Sequence, residues 1–368
     1  MKVCHMTSAH DSTDVRIFRK ECVSLAAAGY DTYLIAQGES REDRGVHVVG
    51  VGPAPKGRLQ RMTTFARTVY RRALELDADL YHIHDPELLP YACKLKQRGK
   101  KVIFDSHENV PAQFSIKTYL PKPVRRLASI VYKAAETNIT KRLDAVAVPC
   151  TFDGVNIFEG RAKRVCILAN YPILEDFQQP RERTQGKEEI CYVGSLTYSR
   201  GIQHLVQATF RAGKRLLLVG AFADREFEER VRRMPEYACV TYLGEIPNAQ
   251  VANAISGCVA GAFTDLNIGQ YQHVDTFGVK VYEYISLGLP VLLPDAPYTR
   301  AMVKKYKFGV YMQPENVDSL AKAIGYLCSH PEEARQMGEN GRRAVEKEFN
   351  WKTQEVKLLA LYRELQGE

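Results

Sequence analysis

The sequence predicts an α/β protein built from two doubly wound parallel sheets. Short apolar runs alternate with segments of helical periodicity along the chain, a rhythm that is typical of βαβ units. A polar stretch at 178–187 interrupts this rhythm, which restarts at Glu189. A chain of 368 residues is long enough for two domains, each with its own core.

The elements follow one another in order from the first strand, Val3–Thr7. The further predicted strands are Tyr33–Ala36, Val46–Val51, Leu80–His84, Lys101–Asp105, Ala145–Pro149, Val165–Leu168, 189–194, Arg215–Gly220, Val240–Leu243, Val259–Ala262 and Val291–Leu293. The predicted helices are Ile17–Ala28, 58–76, Glu87–Arg98, Gln203–Ala212, 280–287 and Asn350–Leu365. Because ligands of such sheets bind beyond the carboxyl ends of the strands, we expect a nucleotide ligand in a cleft between the two halves.

Composition excludes several classes of protein. No apolar run is long enough to span a membrane, and the N-terminus lacks the features of a signal peptide. Nine cysteines without a Cys-x-x-Cys pair predict reduced thiols, a cytosolic protein and no zinc site. The dinucleotide-binding, P-loop and nucleophile-elbow glycine motifs are absent, which argues against the corresponding oxidoreductases, phosphotransferases and hydrolases.

Positive charge is concentrated in the first half of the chain. Residues 1–170 contain 27 Lys or Arg against 18 Asp or Glu, so they account for the whole net charge of +8. Two stretches with helical apolar spacing, 56–72 and 122–142, hold six basic residues each. Such helices bind anionic lipid surfaces, and they equally form exposed helix faces that pack on their own domain. No motif supports nucleic-acid binding.

The stretch from Asp275 to Asp295 places two carboxylates, Asp275 and Glu283, around the start of a helix. Glu283 is positioned to accept hydrogen bonds from vicinal hydroxyls such as those of a ribose. The amides of the first helical turn, near Phe277 and Gly278, are expected to be unpaired and to face an anion. The alternative is that Asp275 only caps the helix and that Glu283 is an exposed helix residue.

This stretch resembles the E-x7-E signature of the retaining glycosyltransferases of family 4, with Asp275 where that family usually has Glu. The first carboxylate contacts the donor sugar in that family and the second contacts the ribose. The resemblance therefore implies these roles for Asp275 and Glu283, and a diphosphate-binding role for Thr276, Phe277 and Gly278. It also implies the GT-B fold, in which two Rossmann-like domains face a central cleft.

A second motif follows the strand at Glu189, with the sequence YVGSLTYSRGI. A glycine-containing loop that leads into a helix offers amides and a cation to a diphosphate. The motif resembles the first loop of the family's second domain. The resemblance implies that Gly194, Ser195 and Arg200 bind the diphosphate, although many members carry a basic residue at the position of Ser195. The alternative is that Arg200 is an exposed residue at a helix start.

Two strings at predicted strand ends, YHIHDPE and FDSHEN, resemble the H-x-H-D and D-S-H-E pair of a polysaccharide-forming branch of the same family. The resemblance implies that His107 faces the donor sugar and that His84 and Asp85 line the acceptor side. Asp85 precedes a proline and is equally a candidate helix N-cap. Asp14 and Arg16 match the branch's D-x-R string and are also assigned to the acceptor side.

These observations predict an N-terminal acceptor-side domain at 1–170, a nucleotide-sugar domain at 171–349 and a terminal helix at 350–368 that crosses back to the first domain. The predicted function is retaining transfer of a sugar from a nucleotide sugar to a glycan acceptor, lipid-linked, in cell-surface polysaccharide biosynthesis. Neither a metal nor a cofactor is expected. The predicted location is cytoplasmic, with peripheral contact to the inner membrane face.

Two alternatives share the fold. A sugar-nucleotide epimerase needs only the nucleotide sugar and would leave the basic first half unexplained. A non-catalytic sugar-nucleotide-binding scaffold would be consistent with the departures from the family pattern at Ser195 and Asp275.

Overall fold

The computed structural model describes residues 1–107, 109–114, 121–177, 189–266 and 273–367, and the chain divides into two compact units. The first unit comprises Met1–Asn170 and Trp351–Glu368, so the chain returns to it at its end. The second unit comprises Tyr171–Asn350. The polar stretch predicted at 178–187 lies outside the described residues.

An eight-stranded sheet is the centre of the first unit. Its strands are β1 (Lys2–Asp11), β2 (Asp31–Gln37), β3 (Arg41–Asp43), β4 (Val46–Gly50), β5 (Leu80–Ile83), β6 (Lys101–Asp105), β7 (Ala145–Val148) and β8 (Val165–Ile167). They lie in the order β3-β4-β2-β1-β5-β6-β7-β8, and every pairing is parallel except that of β3 with β4. The chain leaves β1 towards β2 and later returns to β5 on its other side, so the sheet changes direction between β1 and β5.

Helices cover the first sheet. They are α1 (Val15–Cys22, continued by Val23–Ala27), α2 (Arg58–Gln60, Arg61–Phe65 and Ala66–Leu76), α3 (Leu89–Gln97), α4 (Val110–Gln113), α5 (Lys122–Thr140) and the terminal helix, which begins at Trp351 and ends at Gln366. The terminal helix buries Leu358, Leu361 and Tyr362, and the indole of Trp351 donates to Ser24 Oγ at 2.9 Å.

The second unit contains a six-stranded parallel sheet. Its strands are β9 (Glu189–Val193), β10 (Arg215–Val219), β11 (Val240–Gly244), β12 (Ala260–Ala262), β13 (Val291–Pro294) and β14 (Gly309–Met312), in the order β11-β10-β9-β12-β13-β14. Its helices are α6 (Ile202–Arg211), α7 (Arg225–Arg232), α8 (Asn248–Ile255), α9 (Val279–Ser286), α10 (Pro297–Tyr306), α11 (Val317–Ser329) and α12 (Pro331–Lys347), so the terminal helix is α13. This sheet changes direction between β9 and β12.

The prediction of two parallel-sheet α/β domains is confirmed, and two strands were missed. The β3 strand, Arg41–Asp43, contains only charged side chains and forms an antiparallel hairpin with β4, so it lacks the apolar pattern that predicts a strand. The β14 strand, Gly309–Met312, is short and half exposed. In the part of the chain that the structure describes, no helix combines the length and the apolar character needed to cross a membrane.

The predicted amphipathic stretch at 56–72 packs through its second half. The side chains of Phe65, Ala66 and Val69 are buried against the first sheet, whereas Leu59 and Met62 are exposed. From Phe65 onward, α2 is therefore a helix that packs on its own domain.

Gly261 in β12 lies directly against the ring of Tyr284 on α9, and a Cβ there would lie 2.3 Å from two ring carbons. We expect Gly261→Ala to lower the free energy of unfolding by about 1–3 kcal/mol, because the buried ring has no room to move. That loss corresponds to a fall of roughly 2–10 °C in the unfolding temperature of the second unit by scanning calorimetry.

Gly325→Ala on α11 is the matched control, since no atom lies within 4 Å of its added Cβ. Alanine in a helix interior should stabilise by up to about 1 kcal/mol. Equal unfolding temperatures for the two variants would contradict the close packing of α9 on β12.

Candidate active site

Asp85 fixes the second half of β1, where the first sheet changes direction. Its Oδ2 accepts hydrogen bonds from Thr7 Oγ1 at 2.8 Å, from the Ser8 amide at 2.6 Å and from the Ala9 amide at 3.2 Å. Asp85 occupies the N-cap position of the following turn, but its carboxylate makes no capping hydrogen bond. The N-cap alternative for its side chain is therefore wrong, and the carboxylate positions this part of β1 instead.

Arg16 forms a buried, bidentate ion pair with Asp105. Its Nε donates to Asp105 Oδ2 and its Nη2 donates to Asp105 Oδ1, both at 3.0 Å, while its Nη1 donates to the carbonyl of Leu168 at 3.0 Å. Although burial opposes ionisation, Arg16 keeps the pKa of Asp105 well below its usual range. The expectation that Arg16 contacts the acceptor is therefore wrong. The buried Arg16 instead holds Asp105 in position.

Asp105 lies next to two histidines, His84 and His107, and His107 is the more exposed of the two. Its Nε2 lies 3.4 Å from Asp105 Oδ2 and 3.2 Å from His84 Nδ1, and 19% of its side chain is exposed, whereas that of His84 is fully buried. Burial lowers the pKa of His84 to about 4, so this imidazole is neutral at physiological pH. His84, expected on the acceptor side, therefore supports His107 from within the core.

Asp14 lies at the start of α1 and serves as its N-cap. Its Oδ1 accepts from the Ile17 amide at 2.9 Å, and its Oδ2 lies 3.3 Å from Nδ1 of His10. Although burial opposes ionisation, the His10 hydrogen bond and the Ile17 amide lower the pKa of Asp14. His10 also approaches Asp85, at 3.6 Å. His10, near the end of β1, was not predicted from the sequence because it matches no motif.

Three further side chains behind His84 were also missed. His5 Nδ1 lies 2.9 Å from His84 Nε2, and the hydroxyl of Tyr362 lies 3.1 Å from His5 Nε2 and 2.9 Å from His82 Nδ1. These residues come from β1, β5 and α13, and all are fully buried. The sequence did contain a signal for His82. Because His82 and His84 are two residues apart at the end of one strand, they face the same side of the sheet.

The second unit forms a pocket beyond the ends of β9 and β10. A Cβ at Gly220 would lie 2.1 Å from the carbonyl oxygen of Gly194, so the two loops pack through bare backbone, and both glycines have positive φ, 125° and 131°. The pocket has a volume of about 360 Å³ and is lined by Val193, Gly194, Ser195, Val219, Gly220, Ala221, Ala223, Glu245, Ile246 and Val251.

Arg200 forms an ion pair with Asp265 at the point where the second sheet changes direction. Thr264 Oγ1 donates to the Arg200 carbonyl at 2.7 Å, and the Arg200 amide donates to Thr197 Oγ1 at 3.2 Å. Burial raises the pKa of Asp265, and the neighbouring cations Lys280 and Arg200 partly offset this effect. The alternative that Arg200 is an ordinary surface residue is therefore wrong. Asp265 was missed because it lies in a loop without a motif.

Lys280 was missed as a site residue, although it lies beside the loop after β9. Its Nζ donates to Tyr192 Oη at 2.7 Å and would lie 3.4 Å from a Cβ on Gly194. Burial lowers the pKa of Lys280 to about 8 against the opposing effect of Asp265, and Arg200 lowers it further. The signal in the sequence was its spacing from Glu283: residues three apart share a helix face, and Glu283 is half-buried on α9.

The loop before α9 is anchored by an aromatic cluster. The ring of Phe277 is buried against Phe263, Tyr298 and Phe308. Its amide donates to Tyr282 Oη at 3.4 Å, so the expectation that this amide is unpaired is wrong.

Tyr282 also fixes the neighbouring residue, since its hydroxyl lies 3.1 Å from Thr276 Oγ1. Gly278 is the N-cap residue of α9, so Asp275 does not occupy the capping position. Asp275 is half-buried at the start of this loop.

Comparison with known proteins places the chain among sugar transferases. A sequence profile described as "Glycosyltransferase Family 4" matches residues 16–168, and one described as "Glycosyl transferases group 1" matches residues 175–344. The GDP-mannose-dependent alpha-mannosyltransferase of Mycolicibacterium smegmatis is 24% identical to this chain over 343 residues, which are 87% of this chain and 85% of that protein.

Solved structures show the same fold. The sucrose-phosphate synthase of Thermosynechococcus elongatus superposes with a TM-score of 0.80 at 18% identity and covers 100% of this chain and 99% of its own. The Anabaena protein HepE in complex with UDP and glucose superposes with a TM-score of 0.72 at 13% identity, over 99% of this chain and 100% of its own. At these identities the similarity shows the fold alone.

Proposed function

Because this chain belongs to glycosyltransferase family 4 and has its GT-B fold, we propose that it transfers a hexose from a nucleoside diphosphate sugar to a glycan acceptor, with retention at the anomeric carbon. The pocket after β9 and β10, with Lys280 beside Gly194, is the observation that supports the donor. The pocket offers largely apolar walls for a base, and Lys280 offers a cation to a diphosphate, within one unit of the chain.

We propose that the base is guanine. The apolar walls of the pocket suit a planar ring, and Glu245, one of the lining residues, brings a carboxylate to it. Guanine presents N1–H and N2–H side by side, which matches a carboxylate, whereas uracil presents one ring N–H. The relative from Mycolicibacterium smegmatis, named as GDP-mannose-dependent, is consistent with this proposal. Glu283, on the same helix as Lys280, would accept from the ribose hydroxyls.

In the proposed step the bond from the sugar C1 to the β-phosphate oxygen breaks while the acceptor oxygen bonds to C1 on the same face. The acceptor proton passes to the leaving phosphate oxygen, so no enzyme nucleophile is required. Lys280 and Arg200 supply fixed positive charge to the leaving diphosphate, and we therefore propose no metal or cofactor for this step. The family resemblance supports His107 and Asp275 as the contacts to the donor sugar.

We expect Lys280→Met to weaken GDP binding by roughly ten- to a hundredfold, because a charge-assisted hydrogen bond contributes about 1.5–3 kcal/mol. Lys280 carries its charge below a pKa of about 8, so wild-type affinity should fall as pH rises through that value. The variant should lose this pH dependence. Titration calorimetry at pH 7 and pH 9 measures both effects.

Lys322→Met is the control, since Lys322 is an exposed lysine on α11 of the same unit. It should bind GDP as the wild type does at both pH values. If Lys280→Met kept wild-type affinity and the same pH dependence, the diphosphate would not lie at this loop.

We propose further that the acceptor is lipid-linked and that α5 rests on an anionic membrane surface during transfer. Four apolar side chains of α5 are exposed: Val124 (47%), Leu127 (63%), Ile130 (57%) and Val131 (58%). Lys122, Arg126 and Lys133 are exposed on the same helix. Apolar residues with neighbouring cations match an interfacial helix. Such contact fits an enzyme that builds cell-surface polysaccharide.

The double variant Leu127→Glu/Val131→Glu should weaken binding to phosphatidylglycerol vesicles at low salt by at least about tenfold. Burying each such side chain is worth about 1.5–3 kcal/mol, and the added carboxylates repel the anionic surface. Vesicle cosedimentation measures this loss.

Val356→Glu on α13 is the matched control, because Val356 is an apolar residue of the first unit that is 69% exposed. It should leave vesicle binding unchanged. Wild-type protein that does not sediment with anionic vesicles would contradict the membrane proposal.

A further inference from the structure

Polar atoms of three buried side chains of the first unit lie close together. His5 Nδ1 lies 2.9 Å from His84 Nε2, and Glu21 Oε2 lies 3.8 Å from each of these nitrogens. All three side chains are fully buried. Among the described residues, Oε2 of Glu21 accepts no hydrogen bond, whereas Oε1 forms an ion pair with Nε of Arg16 at 3.2 Å. A buried carboxylate oxygen without a donor is costly, so this arrangement requires an explanation.

The spacing of the three atoms fits a metal ion. A triangle with sides of 2.9, 3.8 and 3.8 Å has a point about 2.1 Å from all of its corners. Zinc binds histidine nitrogen at about 2.0–2.1 Å and carboxylate oxygen at about 2.0–2.2 Å. An ion held at these distances would replace the hydrogen bond between His5 and His84 and its proton.

Each of the three side chains is also held from behind. The remaining nitrogen of His5 lies 3.1 Å from the Tyr362 hydroxyl, and that of His84 lies 3.7 Å from Asp105 Oδ2. Glu21 Oε1 lies 3.2 Å from Nε of Arg16. Partners that fix the ring orientation and the second carboxylate oxygen are typical of metal sites.

A fourth ligand is available from β5. One ring nitrogen of His82 lies within 4.8 Å of the other three ligand atoms. Its Nδ1 contacts Tyr362 Oη, and its Nε2 has no hydrogen-bond partner among the described residues. The fully buried His82 can therefore complete a four-coordinate site.

We propose that the first unit holds one zinc ion through His5, Glu21 and His84, with His82 as the fourth ligand. Two histidine nitrogens and a carboxylate oxygen are a donor set that zinc accepts. Zinc binds such sites at least as tightly as manganese, iron or cobalt does. The ligands are closed to solvent, so the ion is structural: it joins β1, α1 and the end of β5. This proposal goes beyond the transferase function, and either can fail without the other.

The first test is the metal content of the full chain, purified without a histidine tag from cells grown with added zinc and washed with a chelator. Mass spectrometry of the metal should find about one zinc per chain, because a closed site binds its ion during folding. Less than about one tenth of an equivalent would overturn the proposal.

Glu21→Gln tests the site itself, since it removes the anionic ligand and keeps the side-chain volume. It should lose the zinc that the wild type retains. His47→Ala is the control, because His47 is an exposed histidine next to Asp31 and Glu42 and forms a surface group of similar composition. Loss of zinc from His47→Ala, with retention by Glu21→Gln, would assign the ion to the surface and overturn the proposal.

Cobalt substitution keeps the test decisive if Glu21→Gln does not fold. Wild-type protein produced with cobalt in place of zinc should show the strong visible absorption of a four-coordinate ion with nitrogen and oxygen ligands. A weak spectrum of a hydrated, six-coordinate ion would overturn the proposal, whatever the protein's affinity for nucleotides.

Discussion

A buried charge needs a partner of opposite sign within hydrogen-bonding distance, and this constraint organises both units at the point where their sheets change direction. In the first unit Arg16 binds Asp105 through two parallel hydrogen bonds of 3.0 Å. In the second unit Arg200 pairs with Asp265. Removing one member of such a pair leaves an uncompensated charge and costs several kcal/mol, so each pair fixes the backbone that carries it. The candidate functional residues are attached to these fixed points: His107 is oriented by Asp105, and Lys280 lies in the field of Arg200 and Asp265.

The elements that follow from periodicity were predictable. The alternation of buried strands and amphipathic helices gave both parallel sheets, because parallel strands are buried on both faces and appear as continuous apolar runs. The motifs that surround Gly194, His107 and Glu283 were found through their resemblance to a family. The positions of Lys280, Asp265 and His10 were not predictable in the same way, because each acquires its role through contacts with residues distant in sequence. Arg16 was found but misassigned, since a sequence does not show whether a charged side chain points into the core.

The two units divide the proposed chemistry according to their side chains. The second unit offers backbone glycines, cations and apolar walls, which suit the nucleotide and its diphosphate. Burial and the neighbouring guanidinium of Arg200 disfavour the charged form of Lys280 and lower its pKa to about 8. A bound diphosphate would favour the charged form again. The first unit offers a neutral histidine network behind His107 and a helix with exposed apolar residues. Rigid support behind His107 suits a residue that must contact one face of a sugar.

We propose that the second unit binds a nucleoside diphosphate sugar, and a thermal-unfolding screen of the full chain is the decisive measurement. The compounds are GDP, UDP, ADP, CMP, GDP-mannose and UDP-glucose. A ligand at about a hundred times its dissociation constant stabilises the native state by about 2.7 kcal/mol, which raises the unfolding temperature by several degrees. We expect GDP and GDP-mannose to raise the unfolding temperature most. If none of the six compounds raised it, the second unit would not be a nucleotide-binding domain.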